Sequence, residues 1–149
     1  MRIVSILENK KVEKRVAITP EIAKKYIELG LEVLLSENYA EHLGINDNEY
    51  KEIGVKISKD EKEIVNSADV IVQLGLPEDD KSALLKENQT LIGVLNPYLN
   101  ENKINNLVKR NINVLSLELL PRITRAQSMD ILSSQANLAG YKAVLESFA

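Results

Sequence analysis

The segment Pro121–Gly140 (PRITRAQSMDILSSQANLAG), called the polar segment below, concentrates side chains that could bind a ligand. Its polar residues are Arg122, Arg125, Gln127, Ser128, Asp130, Ser133, Ser134, Gln135 and Asn137. Ordinary loops carry Gly, Pro and scattered charge. Both charge signs together with amides and hydroxyls instead suit a ligand that bears phosphate and amide groups.

These side chains also have ordinary structural interpretations, which the sequence leaves open. Taken singly, Arg122 and Asp130 could form an exposed ion pair, which contributes only ~0–1 kcal/mol. Arg125 could have a purely structural role. Ser133 could cap the last helix, alone or with Ser134, and could also bind a ligand. Gln127 could simply be solvated.

The composition describes one globular domain. The chain has 149 residues, 44% of them hydrophobic, a formal net charge of −3 and no cysteine. A single core fits this length, and the absence of cysteine excludes disulfides and predicts an intracellular setting. The interleaved charges exclude a nucleic-acid face. Apolar runs such as Leu91–Leu95 are too short to cross a bilayer, so we expect no direct membrane insertion.

Strand-like and helix-like segments alternate along the chain. The predicted strands are Ile3–Leu7, Glu32–Leu35, Val55–Ile57, Asp69–Leu74, Thr90–Leu95 and Asn113–Leu117. The predicted helix starts are Thr19, Asp47, Ser58, Glu78 and Asn100, and a last helix carries Leu138, Tyr141, Leu145 and Phe148. This alternation predicts a mostly parallel sheet with helices on both faces. Ligands bind such sheets at the carboxyl ends of strands, which is where the polar segment begins.

No strand in this sequence is followed by the glycine-rich G-x-G-x-x-G turn that binds dinucleotide phosphates. The sequence also stops within its last helical pattern, without a turn residue or cap. We therefore expect a single domain over residues 1–149. A glycine-rich Rossmann domain would follow Ala149.

The chain resembles the alanine dehydrogenase and nicotinamide nucleotide transhydrogenase family. The resemblance is carried by Met1–Leu7, the RVAITP motif at Arg15–Pro20, Asp69–Pro77 and the polar segment, which continues into Tyr141-Lys142-Ala143. It implies a flavodoxin-like, doubly wound α/β fold.

The two branches of that family differ in their reacting groups. In alanine dehydrogenases a Lys follows the fourth strand and a His follows the fifth, at positions that align with Gly75 and Asn96. Neither residue can hold a carboxylate by charge or carry a proton. Transhydrogenases pass a hydride from NADH to NADP+, coupled to proton translocation, and this transfer requires two rings held face to face with water excluded. The resemblance therefore favours the transhydrogenase branch.

The resemblance also implies roles for individual residues. Arg122, Gln127, Asp130 and Ser133 would contact the nicotinamide end of NAD(H), with Gln127 and Asp130 nearest the reacting groups. Arg122 would bind the phosphate or ribose side, Asp130 and Ser133 the carboxamide and ribose hydroxyls, and Gln127 the second nucleotide. No metal site is expected.

Outside the polar segment we expect ordinary roles. Arg15 matches a substrate-binding arginine of alanine dehydrogenases, but without Lys and His companions it should form a structural ion pair. His42 should lie at the surface. Tyr141 and Phe148 should lie in the core or at a domain interface.

The resemblance finally implies an assembly. This chain would be part of the NAD(H)-binding, alpha-type component, with NADP(H) on a separate component and a membrane-spanning component as a further partner. The chain alone would transfer no hydride, and a homodimer is consistent with the family. The complex would lie on the inner face of the cytoplasmic membrane, with this cytoplasmic chain held there by partner subunits. The alternatives are an amino-acid dehydrogenase and a non-catalytic interaction module of the same fold.

Overall fold

Strands and helices alternate through residues 1–148, the portion of the chain that the computed structural model describes. The strands are β1 (Arg2–Ser5), β2 (Glu32–Ser36), β3 (Lys56–Ser58), β4 (Val70–Val72), β5 (Thr90–Gly93) and β6 (Asn113–Ser116). The helices are α1 (Pro20–Glu28), α2 (Asp47–Glu52), α3 (Glu61–Asn66), α4 (Asp79–Ala83), α5 (Glu101–Lys109) and α6 (Ile131–Ser147). Short 3-10 helices cover Glu41–Leu43, Leu117–Leu119 and Thr124–Met129.

The six strands form one parallel sheet in the order β3-β2-β1-β4-β5-β6. β1 is central, and its Val4 lies opposite Leu34 on one side and Ile71 on the other. The predicted doubly wound, parallel α/β class is therefore confirmed. The strand order corrects the finer flavodoxin-like expectation, because 3-2-1-4-5-6 is the Rossmann-type order and flavodoxin-like sheets run 2-1-3-4-5.

Alternate side chains of the central strands feed two hydrophobic cores, one on each face of the sheet. In β1, Ile3 faces one core and Val4 the other. Helices α1 and α2 cover the core that contains Ile3, whereas α3 and α5 cover the core that contains Val4. Helices thus lie on both faces, as the apolar strand runs predict.

Two predicted helix caps are wrong. Asp60, rather than Ser58, caps α3, because its carboxylate accepts hydrogen bonds from the backbone N–H groups of Lys62 and Glu63. Asn100 precedes α5 but its side chain makes no cap, since Nδ2 donates to the Leu95 carbonyl instead.

Helix α4 is shorter than the predicted Glu78–Glu87. It ends at Ala83, because competing groups take the hydrogen bonds that a longer helix would need. The guanidinium of Arg110 donates to the carbonyls of Ser82 and Ala83. The backbone N–H of Lys86 donates to the side chain of Gln89 rather than back along a helix.

A buried hydrogen-bond network fixes the segment that follows β1. The hydroxyl of Tyr39, which is 1% exposed, lies 2.7 Å from Ser5 Oγ. It also accepts the backbone N–H groups of Ala17 at 3.1 Å and Ile18 at 3.3 Å. Because the Tyr39 hydroxyl and Ile18 are buried and these hydrogen bonds are made, residues 17 and 18 are held firmly to the core.

Helix α6 differs from the other long helices because none of its residues is buried. Tyr141 is 69% exposed and Phe148, its C-cap, is 87% exposed. Of the two expected locations, the core of this domain is therefore wrong, because α6 buries none of its residues here, and a domain interface stays a prediction. No helix in residues 1–148 is both long and apolar enough to cross a membrane.

Candidate functional site

The polar segment begins just beyond the carboxyl end of β6, at the edge of the sheet. The 3-10 helix Leu117–Leu119 joins β6 to the polar segment, which then crosses to α6 through the 3-10 helix Thr124–Met129. Ala126 anchors this crossing, since it is only 4% exposed while Arg122 and Gln127 on either side are exposed. The buried alanine therefore turns the neighbouring polar side chains outward.

The four residues predicted to bind a nucleotide line a single open pocket of about 380 Å³. The lining consists of Arg122, Ala126, Gln127, Asp130 and Ser133. Arg122 and Gln127 come from the crossing, whereas Asp130 and Ser133 come from the start of α6. The pocket presents a guanidinium, an amide, a carboxylate and a hydroxyl to solvent. These groups can bind phosphate, ribose hydroxyls and a carboxamide.

Asp130 is the N-cap of α6. Its Oδ1 accepts the backbone N–H groups of Leu132 and Ser133, each at 3.0 Å, and its Oδ2 accepts the Ser133 hydroxyl at 2.6 Å. These bonds, the Ser133 hydroxyl foremost, hold the pKa of Asp130 below its usual value, and the charge of Arg122 adds a smaller effect. Asp130 therefore carries a negative charge at neutral pH.

The alternative that Ser133 or Ser134 caps the last helix is wrong, because Asp130 is the cap. The polar segment is also not one loop, because its second half from Ile131 onward is helical. The sequence did contain a signal for this boundary. An aspartate directly before Ile131 and Leu132 is a typical N-cap followed by the first apolar residues of a helix.

The alternative of an exposed Arg122–Asp130 ion pair is wrong, since the salt bridges found in residues 1–148 do not include these two residues. The guanidinium of Arg122 is exposed and its charge reaches Asp130 only at longer range. Arg122 is therefore available to an anionic ligand.

A second pocket, of about 310 Å³, lies where the chain leaves β1 and β4, the neighbouring strands between which the strand order of the parallel sheet reverses. Its lining includes Glu8, Glu13 and Glu78. Burial raises the pKa of Glu8, and hydrogen bonds from the backbone N–H groups of Leu74 and Gly75 oppose the rise. The lining also includes Lys81, whose ammonium lies 3.1 Å from Glu61 Oε1. Three carboxylates against one ammonium that is already paired disfavour a substrate carboxylate.

The positions that align with the reacting groups of alanine dehydrogenases contain no such groups. A Cβ built on Gly75 would lie 3.8 Å from Glu8 Oε2, so this position faces a carboxylate and offers no side chain. Asn96 adopts a left-handed backbone conformation (φ 47°), and its N–H donates to Glu118.

Arg15 and His42 have the expected ordinary surroundings. Arg15 Nη2 lies 2.7 Å from Glu13 Oε2 in an ion pair, which confirms the expectation. His42 is exposed, and its Nε2 donates to the carbonyl of Lys14 at 2.7 Å. In residues 1–148 no group of three or more His, Asp or Glu side chains is arranged so that it could hold a metal ion.

Comparison with known proteins shows the family of this chain. The profile of the family described as "alanine dehydrogenase/PNT, N-terminal domain" matches residues 6–139. The chain belongs to this family. A relative from Rickettsia prowazekii, named as the first portion of NAD(P) transhydrogenase subunit alpha, is 43% identical over 98% of this chain. The chain spans 39% of the length of that relative.

The structural comparison points to the same branch of the family. A crystal structure of transhydrogenase from Sinorhizobium meliloti superposes with a TM-score of 0.88 at 37% identity, over 97% of this chain and 43% of that chain. Alanine dehydrogenase 1 from Staphylococcus aureus is a more distant relative, 23% identical over 97% of this chain and 38% of its own length.

Proposed function

We propose that this chain contributes the nicotinamide-contacting portion of the NAD(H)-binding component of a proton-translocating transhydrogenase. In that enzyme a hydride passes from NADH to NADP+, and the transfer is coupled to proton movement across a membrane. One observation carries the proposal: Arg122, Gln127, Asp130 and Ser133 line one pocket.

The chemistry available in this pocket is binding and orientation rather than proton transfer. The donor nicotinamide supplies the hydride, so no protein group has to gain or lose a proton at the reacting carbons. The chain must hold the ring at near-attack distance from its acceptor. Positioned hydrogen bonds and a permanently charged guanidinium can do this. Hydride transfer therefore does not require the His and Lys found in alanine dehydrogenases.

Each of the four side chains has bonding capacity left for a dinucleotide. Arg122 is exposed and can bind a phosphate or ribose oxygen. Oδ2 of Asp130 accepts one hydroxyl proton, which leaves a lone pair for the N–H of a carboxamide. The Ser133 hydroxyl donates to Asp130 and can accept from a ribose hydroxyl. Gln127 is exposed and would reach the second nucleotide.

The proposal includes further components of the enzyme. Residues 1–149 would form one N-terminal domain, and a glycine-rich domain after Ala149 would bind the nucleotide phosphates. The 39% share of the Rickettsia prowazekii relative leaves room for such a domain. A separate component would carry NADP(H), and a membrane-spanning component would hold this cytoplasmic chain at the inner face of the cytoplasmic membrane. The NAD(H)-binding component would pair as a homodimer, and the chain alone would transfer no hydride.

The acidic pocket beside β1 argues against the alternative of an amino-acid dehydrogenase. A 2-amino acid would bring its own carboxylate close to Glu8 and Glu13, and neither Gly75 nor Asn96 offers a compensating charge. The ammonium of Lys81 also lines this pocket, but it already pairs with Glu61 at 3.1 Å. We therefore expect the enzyme that contains this chain to reduce an NADP+ analogue with NADH and to leave alanine unoxidised. An alanine-dependent reduction of NAD+ would contradict the proposal.

Substitution of the pocket residues tests the proposal directly. In the assembled enzyme, Arg122→Ala and Asp130→Asn should each lower the rate of transhydrogenation by roughly tenfold or more, about 1.4 kcal/mol at the barrier. Arg125→Ala is the matched control, because Arg125 is exposed in the same segment but does not line the pocket. Unchanged rates in well-folded pocket variants would instead support a non-catalytic interaction module.

A further inference from the structure

Helix α6 carries one wall of the pocket, yet little holds it to the rest of the domain. No residue of α6 is buried. In residues 1–148, one side-chain hydrogen bond joins α6 to an element outside the polar segment: Arg15 Nη1 donates to Gln135 Oε1 at 2.7 Å. The two residues lie 120 positions apart in the sequence. This bond is therefore a tether between the segment after β1 and the start of α6.

The guanidinium of Arg15 is oriented by its neighbour. Glu13 Oε1 accepts from Arg15 Nε at 2.9 Å, and Glu13 Oε2 accepts from Nη2 at 2.7 Å. Because the guanidinium is planar and rigid, this two-point contact fixes the direction of Nη1. Nη1 points to Gln135, so Arg15 is engaged by protein groups on two sides.

The segment that carries Arg15 is in turn fixed to the core. Two residues further on, the buried Tyr39 hydroxyl accepts the backbone N–H of Ala17, and then that of Ile18. The exposed His42 holds the carbonyl of Lys14, on the other side of Arg15. A chain of contacts thus runs from the core through residues 14–18 to Gln135 and α6.

Gln135 lies on α6 only two residues beyond Ser133. The direction of α6 therefore sets how Asp130 and Ser133 face Arg122 and Gln127 across the pocket. Arg15 does not line this pocket itself. We propose that Arg15 is a positioning residue, which holds α6 through Gln135 in the orientation that binds the nicotinamide end of NADH. This inference rests on the proposed function.

The test uses the assembled enzyme and measures the KM and the affinity for NADH, together with kcat at saturating NADH. Arg15→Ala and Gln135→Leu should each raise the KM for NADH roughly threefold to tenfold, because the pocket is then correctly formed only a fraction of the time. The kcat at saturation should change less than about twofold. The double variant should have a KM for NADH no higher than that of either single variant, since both substitutions remove the same hydrogen bond.

Two further variants separate positioning from general stability. Gln135→Glu retains an acceptor for Arg15 and should keep the KM near the wild-type value. Lys142→Ala removes an ion pair with Glu146 on the surface of α6 without touching the tether, and should leave the KM unchanged. Three outcomes would each overturn the inference. Gln135→Glu could raise the KM for NADH as much as Gln135→Leu does, the effects of Arg15→Ala and Gln135→Leu on that KM could add in the double variant, or Lys142→Ala could raise it equally.

The outcomes also distinguish this inference from the proposed function. A wild-type enzyme that does not bind NADH would overturn both. NADH binding that is lost on substitution of Arg122 but unaffected by Arg15→Ala would overturn the positioning role and leave the proposed function standing.

Discussion

The carboxylate of Asp130 has two roles, so a single substitution there changes two properties. It caps α6 through the N–H groups of Leu132 and Ser133, and it presents a negative charge to the pocket. Asparagine caps helices about as well as aspartate, whereas alanine does not cap. The two substitutions therefore separate the structural role from the electrostatic one.

We expect Asp130→Ala to lower the melting temperature, because α6 loses its cap, and Asp130→Asn to melt near the wild type. Both variants should weaken NADH binding, because both remove the charge. Circular dichroism melts and calorimetric NADH titrations measure the two effects separately. If the Asn variant melted as early as the Ala variant, the capping role would be refuted.

The same carboxylate should respond to acid. Its pKa lies below the usual 3.8 in the folded chain, so the stabilisation it gives α6 is complete above pH 3.8. That stabilisation is lost as the pH falls through the lowered pKa, because the protonated acid no longer accepts these bonds as strongly.

The residues of the pocket could be predicted only in part. Arg122, Gln127, Asp130 and Ser133 came from a resemblance to a known family, and the structure brings them together. The role of Ala126 could not be predicted from its side chain, because a methyl group has no binding chemistry and acts here only by being buried. The contact between Arg15 and Gln135 spans 120 positions, and no local pattern indicates a pairing at that separation.

At the scale of elements, Gly93 of β5 lies where the backbone of the neighbouring chain segment comes very close. A Cβ on Gly93 would collide with the main-chain oxygen of Gln73 and lie 3.0 Å from Leu95 Cδ2. A backbone oxygen cannot move aside as a side chain can. A Cβ on Gly140 of α6, in contrast, would meet no neighbouring atom within 4 Å in residues 1–148.

These two glycines should therefore respond oppositely to alanine. Gly93→Ala should lower the free energy of unfolding by about 1–3 kcal/mol, because it forces backbone atoms apart. Gly140→Ala should raise it by about 0.5–1 kcal/mol, because alanine favours an exposed helix. Urea unfolding of both variants measures the difference. Equal stability of the two would contradict the close approach of β5 to β4.

Helix boundaries illustrate what local sequence can and cannot determine. The Thr19-Pro20-Glu21 start of α1 was predicted correctly, and Thr19 caps the helix as expected. The start of α3 was misassigned because Ser58 and Asp60 both have capping chemistry within three residues. The early end of α4 depends on Arg110, which a reading of the local sequence does not connect to it.

For the whole molecule, the buried Tyr39 predicts a loss of stability at high pH. Burial raises the pKa of its hydroxyl to about 12 from an ordinary value of 10.0. Between these values the unfolded chain loses the proton and the folded chain keeps it. The contribution of Tyr39 to the free energy of unfolding should therefore be constant below pH 10.0 and fall as the pH rises to about 12.

Tyr39→Phe should remove this contribution to the alkaline loss. It should also lower stability at neutral pH by about 1–3 kcal/mol, because the N–H groups of Ala17 and Ile18 lose their acceptor. Tyr98→Phe is the control, since Tyr98 is 87% exposed and should leave both quantities unchanged. Unfolding curves at a series of pH values test this. An alkaline profile of Tyr39→Phe identical to the wild type would refute the assignment.

The architecture was predictable because apolar strands alternate with helices along the whole chain. The strand order was not, because periodicity indicates which residues are buried but not which strands are neighbours. β1 pairs with β4 rather than with β3, and only long-range packing decides that choice.

That pairing has a consequence for how the chain acquires its structure. Ile3 lies beside Val70, so the 67 positions from Ile3 to Val70 must be made before the central strand gains its second neighbour. Closing so long a loop costs entropy before any contact repays it, which slows folding. During synthesis on the ribosome, β1 and β2 would emerge first, and one edge of β1 would stay unpaired until residues 70–72 are made. Until then that edge could pair with a non-native strand.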